Sequence, residues 1–248
     1  MTHAISTHKR LAVALTVGVC AVAVAAGFTQ WRDGSSPRAE ATVSRVARTR
    51  TTADPSTTTA ALPVPAPLAF DGLGLRAGPV PVPIEIEIPT IGVKASVLGV
   101  GITAKDTMDA PEGKALDPVW RQAFWYRGSA IPGAASTALM AGHIDDPLDQ
   151  VGVFGKIDQL HPGDPIVIHD TRTGLDVRFA VDQSVTYTLA EASDPAVLTR
   201  IYGAGPVAGQ WPVPSADGLA HLTLITCAGT FRNGTHDHRL VVYATRVS

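Results

Sequence analysis

Hydrophobic and polar positions along this chain fall into short alternating runs separated by Gly, Pro and Asp, the signature of β-strands joined by turns. The clearest run is Val82-Pro-Ile-Glu-Ile-Glu-Ile-Pro89, with Ile84, Ile86 and Ile88 on one face and Glu85 and Glu87 on the other. Such a period of two predicts a strand with one face in a core and one in water. Ile91–Val100, Ser136–Ala141, Pro165–His169 and Leu175–Asp182 extend the series, and Val185–Thr188 continues the last of these. Residues 104–136 mix Pro, Gly and aromatics and are expected to wrap the edge of the core, with Asp117-Pro118-Val-Trp120 as a turn. Residues 190–202 predict the one helical stretch, capped by Ser193 or Asp194. The last two strands, His221–Cys227 and Arg239–Arg246, flank Asn233-Gly234, a strong hairpin turn pair. Short strands, Gly/Pro turns and little helix indicate an all-β, closed or nearly closed barrel.

The N-terminal third reads differently. Residues 11–28 form an uncharged apolar run bounded by Lys9-Arg10 and Trp31-Arg32. That length meets the lower limit for a membrane-spanning helix and exceeds most signal-peptide cores. The expected organisation is a short cytoplasmic tail (1–10), a transmembrane signal anchor (11–31), a disordered stalk (32–79) and a catalytic domain (80–248). Cleavage after a small residue near Ala25 is the alternative to an uncleaved anchor, and Val-Gly-Val-Cys20 is a poor lipoprotein signal. The stalk is rich in Ser, Thr, Pro and Arg, as in Thr51–Thr59 and Leu62–Pro67, and has too few apolar residues to bury a core.

Charge sharpens this division. Residues 1–79 carry eight Lys/Arg and four Asp/Glu, whereas residues 80–248 carry twelve and eighteen. A basic tail beside an acidic domain speaks against a nucleic-acid surface and suits a segment next to a membrane. Five arginines follow the apolar run against two basic residues before it, which by itself opposes export of the C-terminal part. Long domains are translocated largely regardless of charge, so the domain is placed outside, in a single-pass membrane protein.

Two cysteines, Cys20 and Cys227, give no disulfide framework. A thiol at Cys227 in an oxidising compartment is a liability unless it has a chemical task. In the predicted hairpin Cys227 lies almost opposite Arg239, with Cβ atoms about 5 Å apart. A neighbouring cation lowers a thiol's pKa and favours the nucleophilic thiolate. Such a nucleophile needs a proton acceptor and donor. The domain of residues 80–248 offers six histidines: His143, His161, His169, His221, His236 and His238. His169 lies inside a strand, His161 begins a turn, and His221 sits six residues along the strand from Cys227. Spacing alone ranks His143, which opens a polar loop after Ala141-Gly142, only modestly above His236 and His238.

Thr223-Leu-Ile-Thr-Cys227 matches the TLxTC motif of sortases, the cysteine transpeptidases of Gram-positive cell surfaces. Ala141-Gly-His143 resembles their histidine motif, and Arg239-Leu-Val-Val-Tyr-Ala resembles the arginine that opens their last strand. The resemblance runs through Ile88–Val93, Trp125–Gly128, Pro132-Gly133 and Leu160–Asp164, and covers essentially all of residues 80–248. Thr226-Cys-Ala-Gly-Thr-Phe231 looks most like the actinobacterial class F, with class E next. The loop His236-Asp-His238 departs from the pattern.

This resemblance implies an eight-stranded barrel with one or two short helices and a triad of His143, Cys227 and Arg239. It implies cleavage between Thr and Gly of an LPXTG-like sorting signal through a thioacyl enzyme, followed by transfer to an amine of a peptidoglycan precursor. No cofactor is implied. Water in place of the amine would make the protein a hydrolase, and a tethered barrel without catalysis is the non-enzymatic alternative. A metal site from His143, Asp145, His236 and His238 is possible on residue type, but no CxxC or HExxH signature accompanies it. The Ser-His-Gly-Cys signature of L,D-transpeptidases is absent.

Overall fold

The computed structural model describes residues 74–207 and 211–247. The expected tail and anchor, and all but the last six residues of the expected stalk, lie outside the described residues. Among the described residues no helix is long and apolar enough to cross a membrane. Eight strands close into a barrel: β1 (Val80–Ile88), β2 (Val93–Val100), β3 (Ala123–Tyr126), β4 (Thr137–Ala141), β5 (Pro165–Asp170), β6 (Leu175–Thr188), β7 (His221–Arg232) and β8 (Thr235–Arg246). Their order around the barrel is β1-β2-β3-β4-β7-β8-β6-β5. The β2–β3 and β4–β7 pairs are parallel, and the remaining neighbours run antiparallel.

Strand alternation sets the interior. Ile84, Ile86 and Ile88 are buried with Val97, Met140, Leu222, Leu224 and Val242 in the barrel core, while Glu85 and Glu87 point outward. Burial of each such aliphatic side chain contributes about 1.5–3 kcal/mol. A second apolar cluster coats the outside of the barrel, where Met108, Trp120, Phe124, Ile225, Val241 and Tyr243 pack beneath the β2–β3 connection and the helices. The two clusters are lined by opposite faces of the same strands: Leu224 looks in and Ile225 looks out.

The structure departs from the pattern-based reading in two places. Ala123–Tyr126, expected to wrap the edge, is a barrel strand; all four residues are buried, so no alternation betrays them. The expected continuation of Leu175–Asp182 into Val185–Thr188 is observed as one 14-residue strand, with a register shift between Val181 and Gln183. The final hairpin does not open into a loop after Cys227. Its ladder continues to Arg232–Thr235 and turns at Asn233-Gly234, both with positive φ, interrupted by a shift between Ala228 and Phe231. Cys227 therefore sits within a strand.

The helical stretch resolves into α1 (Leu189–Ala192) and α2 (Pro195–Tyr202). Thr188 and Glu191 form a reciprocal capping box on α1. Asp194 caps α2 by accepting from Ala196 N and Val197 N. A third short helix, Ala204–Val207, follows. At the other end, residues 74–79 are tied to the barrel by Arg127. Its guanidinium donates to the carbonyls of Ala77 at 2.6 Å and Gly78 at 3.0 Å.

Candidate active site

Cys227, Arg239 and His143 reach one end of the barrel from three strands. Cys227 on β7 pairs directly with Arg239 on β8. β7 also runs parallel to β4, with Ala141 beside Ile225, so two further residues along each chain bring His143 and Cys227 alongside. Two hydrogen bonds hold that extension in register. Gly142 N donates to Ile225 O at 3.1 Å, and Thr226 Oγ1 donates to Gly142 O at 2.8 Å. The second threonine of the TLxTC motif thus straps the strand of Cys227 to that of His143.

Cys227 shares its strand face with Ile225, which belongs to the outer cluster, so its side chain lies on the outside of the barrel wall. It is covered nonetheless, at 3% exposure. Where the sequence reading expects a thiol, the sulfur here is half of a disulfide. Nucleophilic attack belongs to the reduced residue.

His143 is buried between aromatic rings, with its centroid 4.5 Å from that of Trp120 and 5.3 Å from that of Phe124. Its Nε2 lies 2.8 Å from the carbonyl oxygen of Pro111. A carbonyl only accepts, so Nε2 carries the proton and Nδ1 is left as the basic nitrogen of the neutral ring. Burial pulls the imidazole pKa below its ordinary 6.5, against the opposing influence of Pro111 O and of the Asp145 charge. Burial likewise pushes the Asp145 carboxyl up, opposed most by His236. Asp145 thus sits in the field of both histidines.

Arg239 is 2% exposed. Its Nη1 donates to the carbonyls of His238 at 2.7 Å and His236 at 3.2 Å, which fixes the guanidinium against its own strand. Its buried Nε has no hydrogen-bond partner among the described residues. A buried, cationic N–H left unsatisfied opposite a cysteine is a donor in place for charge developing on a bound carbonyl. Burial lowers the guanidinium pKa, but arginine stays charged in proteins. A narrow cavity joins the elements, lined by Met108, Ala110, Phe124, His143, Ile225 and Arg239.

The other histidines are placed elsewhere or differently. His169 bridges Glu87 and Asp176 on the far wall, and His221 meets Asp217 and Thr245. His161 stands in a turn where its backbone N–H donates to Asp164. His238 pairs with its neighbour Asp237. His236 packs its ring at a tilt against Phe231, its Nδ1 is buried with no hydrogen-bond partner among the described residues, and its carbonyl holds Arg239. Among the described residues no three His, Cys, Asp or Glu side chains converge as metal ligands do. Sequence reasoning missed Pro111. A backbone carbonyl leaves no trace in side-chain chemistry, so no signal there could have found it.

No curated protein matches the chain. Among solved structures it is similar to sortase A from Corynebacterium diphtheriae, at 23% identity and a TM-score of 0.45 over 68% of this chain and 61% of that one. It is similar also to sortase C-1 from Actinomyces oris, at 22% identity and a TM-score of 0.45 over 68% of this chain and 76% of that one. The family model described as the sortase domain matches residues 86–247, from the middle of β1 through the end of β8. By that match across most of its length, this chain belongs to the sortase family.

Proposed function

We propose that this protein is a membrane-anchored cysteine transpeptidase that cuts an LPXTG-like sorting signal between Thr and Gly. It would transfer the new carboxyl end to an amine of a peptidoglycan precursor, and would be closest to class F, with class E next. Residues 11–31 would anchor it, residues 32–79 would hold the domain away from the membrane, and the catalytic domain would face the outside. One observation carries the reading: Cys227 stands opposite a buried Arg239 with an unsatisfied N–H, beside the strand that delivers His143.

The steps follow from those positions. The Cys227 thiolate attacks the threonine carbonyl carbon, and the C=O electron pair moves to oxygen. Arg239 donates to that oxygen, an interaction worth about 3–4 kcal/mol in comparable sites. His143, as imidazolium, gives its proton to the departing glycine nitrogen as the C–N bond breaks, leaving a thioester. The acceptor amine then attacks the thioester, His143 takes its proton, and the C–S bond breaks to restore the thiolate. Water in the acceptor's place would give hydrolysis.

Mass spectrometry of the reduced full-length chain with an LPXTG peptide library and diglycine or diaminopimelate tests this. The expected result is a thioacyl adduct on Cys227, a cut between Thr and Gly, and a new amide on the acceptor. Absence of both adduct and cut across the library would overturn the reading.

A further inference from the structure

An open groove at the rim of the barrel plays no part in the steps above. Lys94, Arg121 and Lys156 line it, with Val93, Val151 and Val153 among its apolar walls. All three cations are exposed, in a domain with a surplus of six acidic residues. A concentration of one charge sign in a cleft focuses the field and gathers counter-charged ligands.

Ordinary partners do not take up the two lysine charges. Lys94 stands across the ladder from Glu87, but the Glu87 carboxylate is held by His169 Nε2 at 2.9 Å. Neither Lys94 nor Lys156 forms an ion pair among the described residues. Arg121 donates to Gln150 at 3.2 Å and lies 3.5 Å from Asp146, contacts that orient the guanidinium and offset part of its charge.

The groove and the site share a wall one chain thick. Gly152 N donates to Ile144 O at 2.7 Å and Phe154 N donates to His143 O at 3.0 Å. A Cβ on Gly152 would come within 2.4 Å of His143 O, so only glycine lets the wall lie this close. Direction matters as well. Cys227 and Arg239 hold the acyl group of a thioester, whereas His143 takes the proton of the incoming amine. The second substrate therefore enters from the His143 side, where the groove lies.

We propose that this groove docks the acceptor by an oxyanion, a phosphate or carboxylate carried on the same molecule as the attacking amine. The proposal rests on the transpeptidase reading of the Cys227 site. Peptidoglycan precursors bear both groups, carboxylates on the peptide and phosphates on the lipid carrier, and the test separates them.

The experiment compares the reduced full-length chain with its Lys94→Glu/Lys156→Glu variant and reads the ratio of transfer to hydrolysis. The acceptors are an amino dipeptide with a free carboxylate and the same dipeptide as its amide, with inorganic pyrophosphate as competitor. If a carboxylate docks, the double reversal lowers the ratio about tenfold for the free acid and less than about twofold for the amide. If a phosphate docks, pyrophosphate suppresses transfer but not hydrolysis in the unmodified chain and loses that effect in the variant. Equal loss with both acceptors, or no response in either arm, overturns the groove. Should no thioester form at all, the transpeptidase reading fails by itself. Calorimetric binding of pyrophosphate then decides the groove: binding lost in the variant upholds an anion site, and no binding to the unmodified chain overturns it.

Discussion

Cys227 and Arg239 are direct partners across the β7–β8 ladder, and both are almost fully buried. The arginine is immobilised by two carbonyls of its own hairpin, so its free Nε is aimed by the strand rather than by a flexible loop. A planar donor fork held in this way cannot be copied by an ammonium group.

Arg239→Lys is accordingly expected to lower kcat/KM for peptide cleavage by about a hundredfold, as when an oxyanion donor is removed. Cys227→Ala is expected to abolish thioester formation and leave the circular dichroism spectrum unchanged. Peptide turnover by Arg239→Lys at the level of the unmodified enzyme would shift the oxyanion role to Arg232 or to loop N–H groups.

Thr226 offers a test of the strap between strands. Thr226→Val keeps the shape and removes the hydrogen bond to Gly142 O. A loss of about 1–2 kcal/mol in denaturant stability is expected. A fall in kcat exceeding any change in KM should accompany it, because His143 follows Gly142 directly. Normal kcat would show that the bond serves stability alone.

The His143 ring is expected to titrate below 6.5, its ordinary value, because burial disfavours the imidazolium. A histidine with a depressed folded pKa binds protons less readily than the unfolded chain does. Stability is therefore complete above pH 6.5 and falls as pH drops from 6.5 toward the folded value. Nitrogen-15 NMR of the ring should show the Nε2–H form hydrogen-bonded to Pro111. Trp120→Ala should admit water and raise the titration midpoint toward 6.5. An Nδ1–H form would refute the assignment of the basic nitrogen.

Arg127→Met is expected to free residues 74–79 while leaving the barrel closed, since its guanidinium bonds to their carbonyls. Limited proteolysis should then cut near Arg76 faster than in the unmodified chain, with the unfolding temperature changed by only a few degrees. Equal cutting rates would mean that other contacts, such as Ile102 N to Leu75 O, hold the segment.

What could be read from the sequence follows from what leaves a periodic mark. β1 announces itself because Ile and Glu alternate between a core and water. β3 does not, because Ala123–Tyr126 is buried on both sides and shows no contrast. The register that sets Cys227 against Arg239 was legible from the Asn233-Gly234 turn, yet the strands' full length was not, since polar residues around Gly229 hide a ladder interrupted by a shift. The side chains proposed to react, His143, Cys227 and Arg239, were visible in their motifs. The cover over His143 was invisible, because its key contact is the carbonyl of Pro111, and peptide groups are the same in every sequence. Arg127 escaped notice for the same reason: its partners are backbone atoms some fifty positions away.

The parallel pairing of β4 with β7 joins residues about 84 positions apart. Nothing local can assemble the reactive centre, so a growing polypeptide that has already formed β1 to β6 still has no chemistry. Competence arrives with the closing strands, and it arrives all at once. Under the proposed function, peptide cutting cannot begin before β7 and β8 are in place.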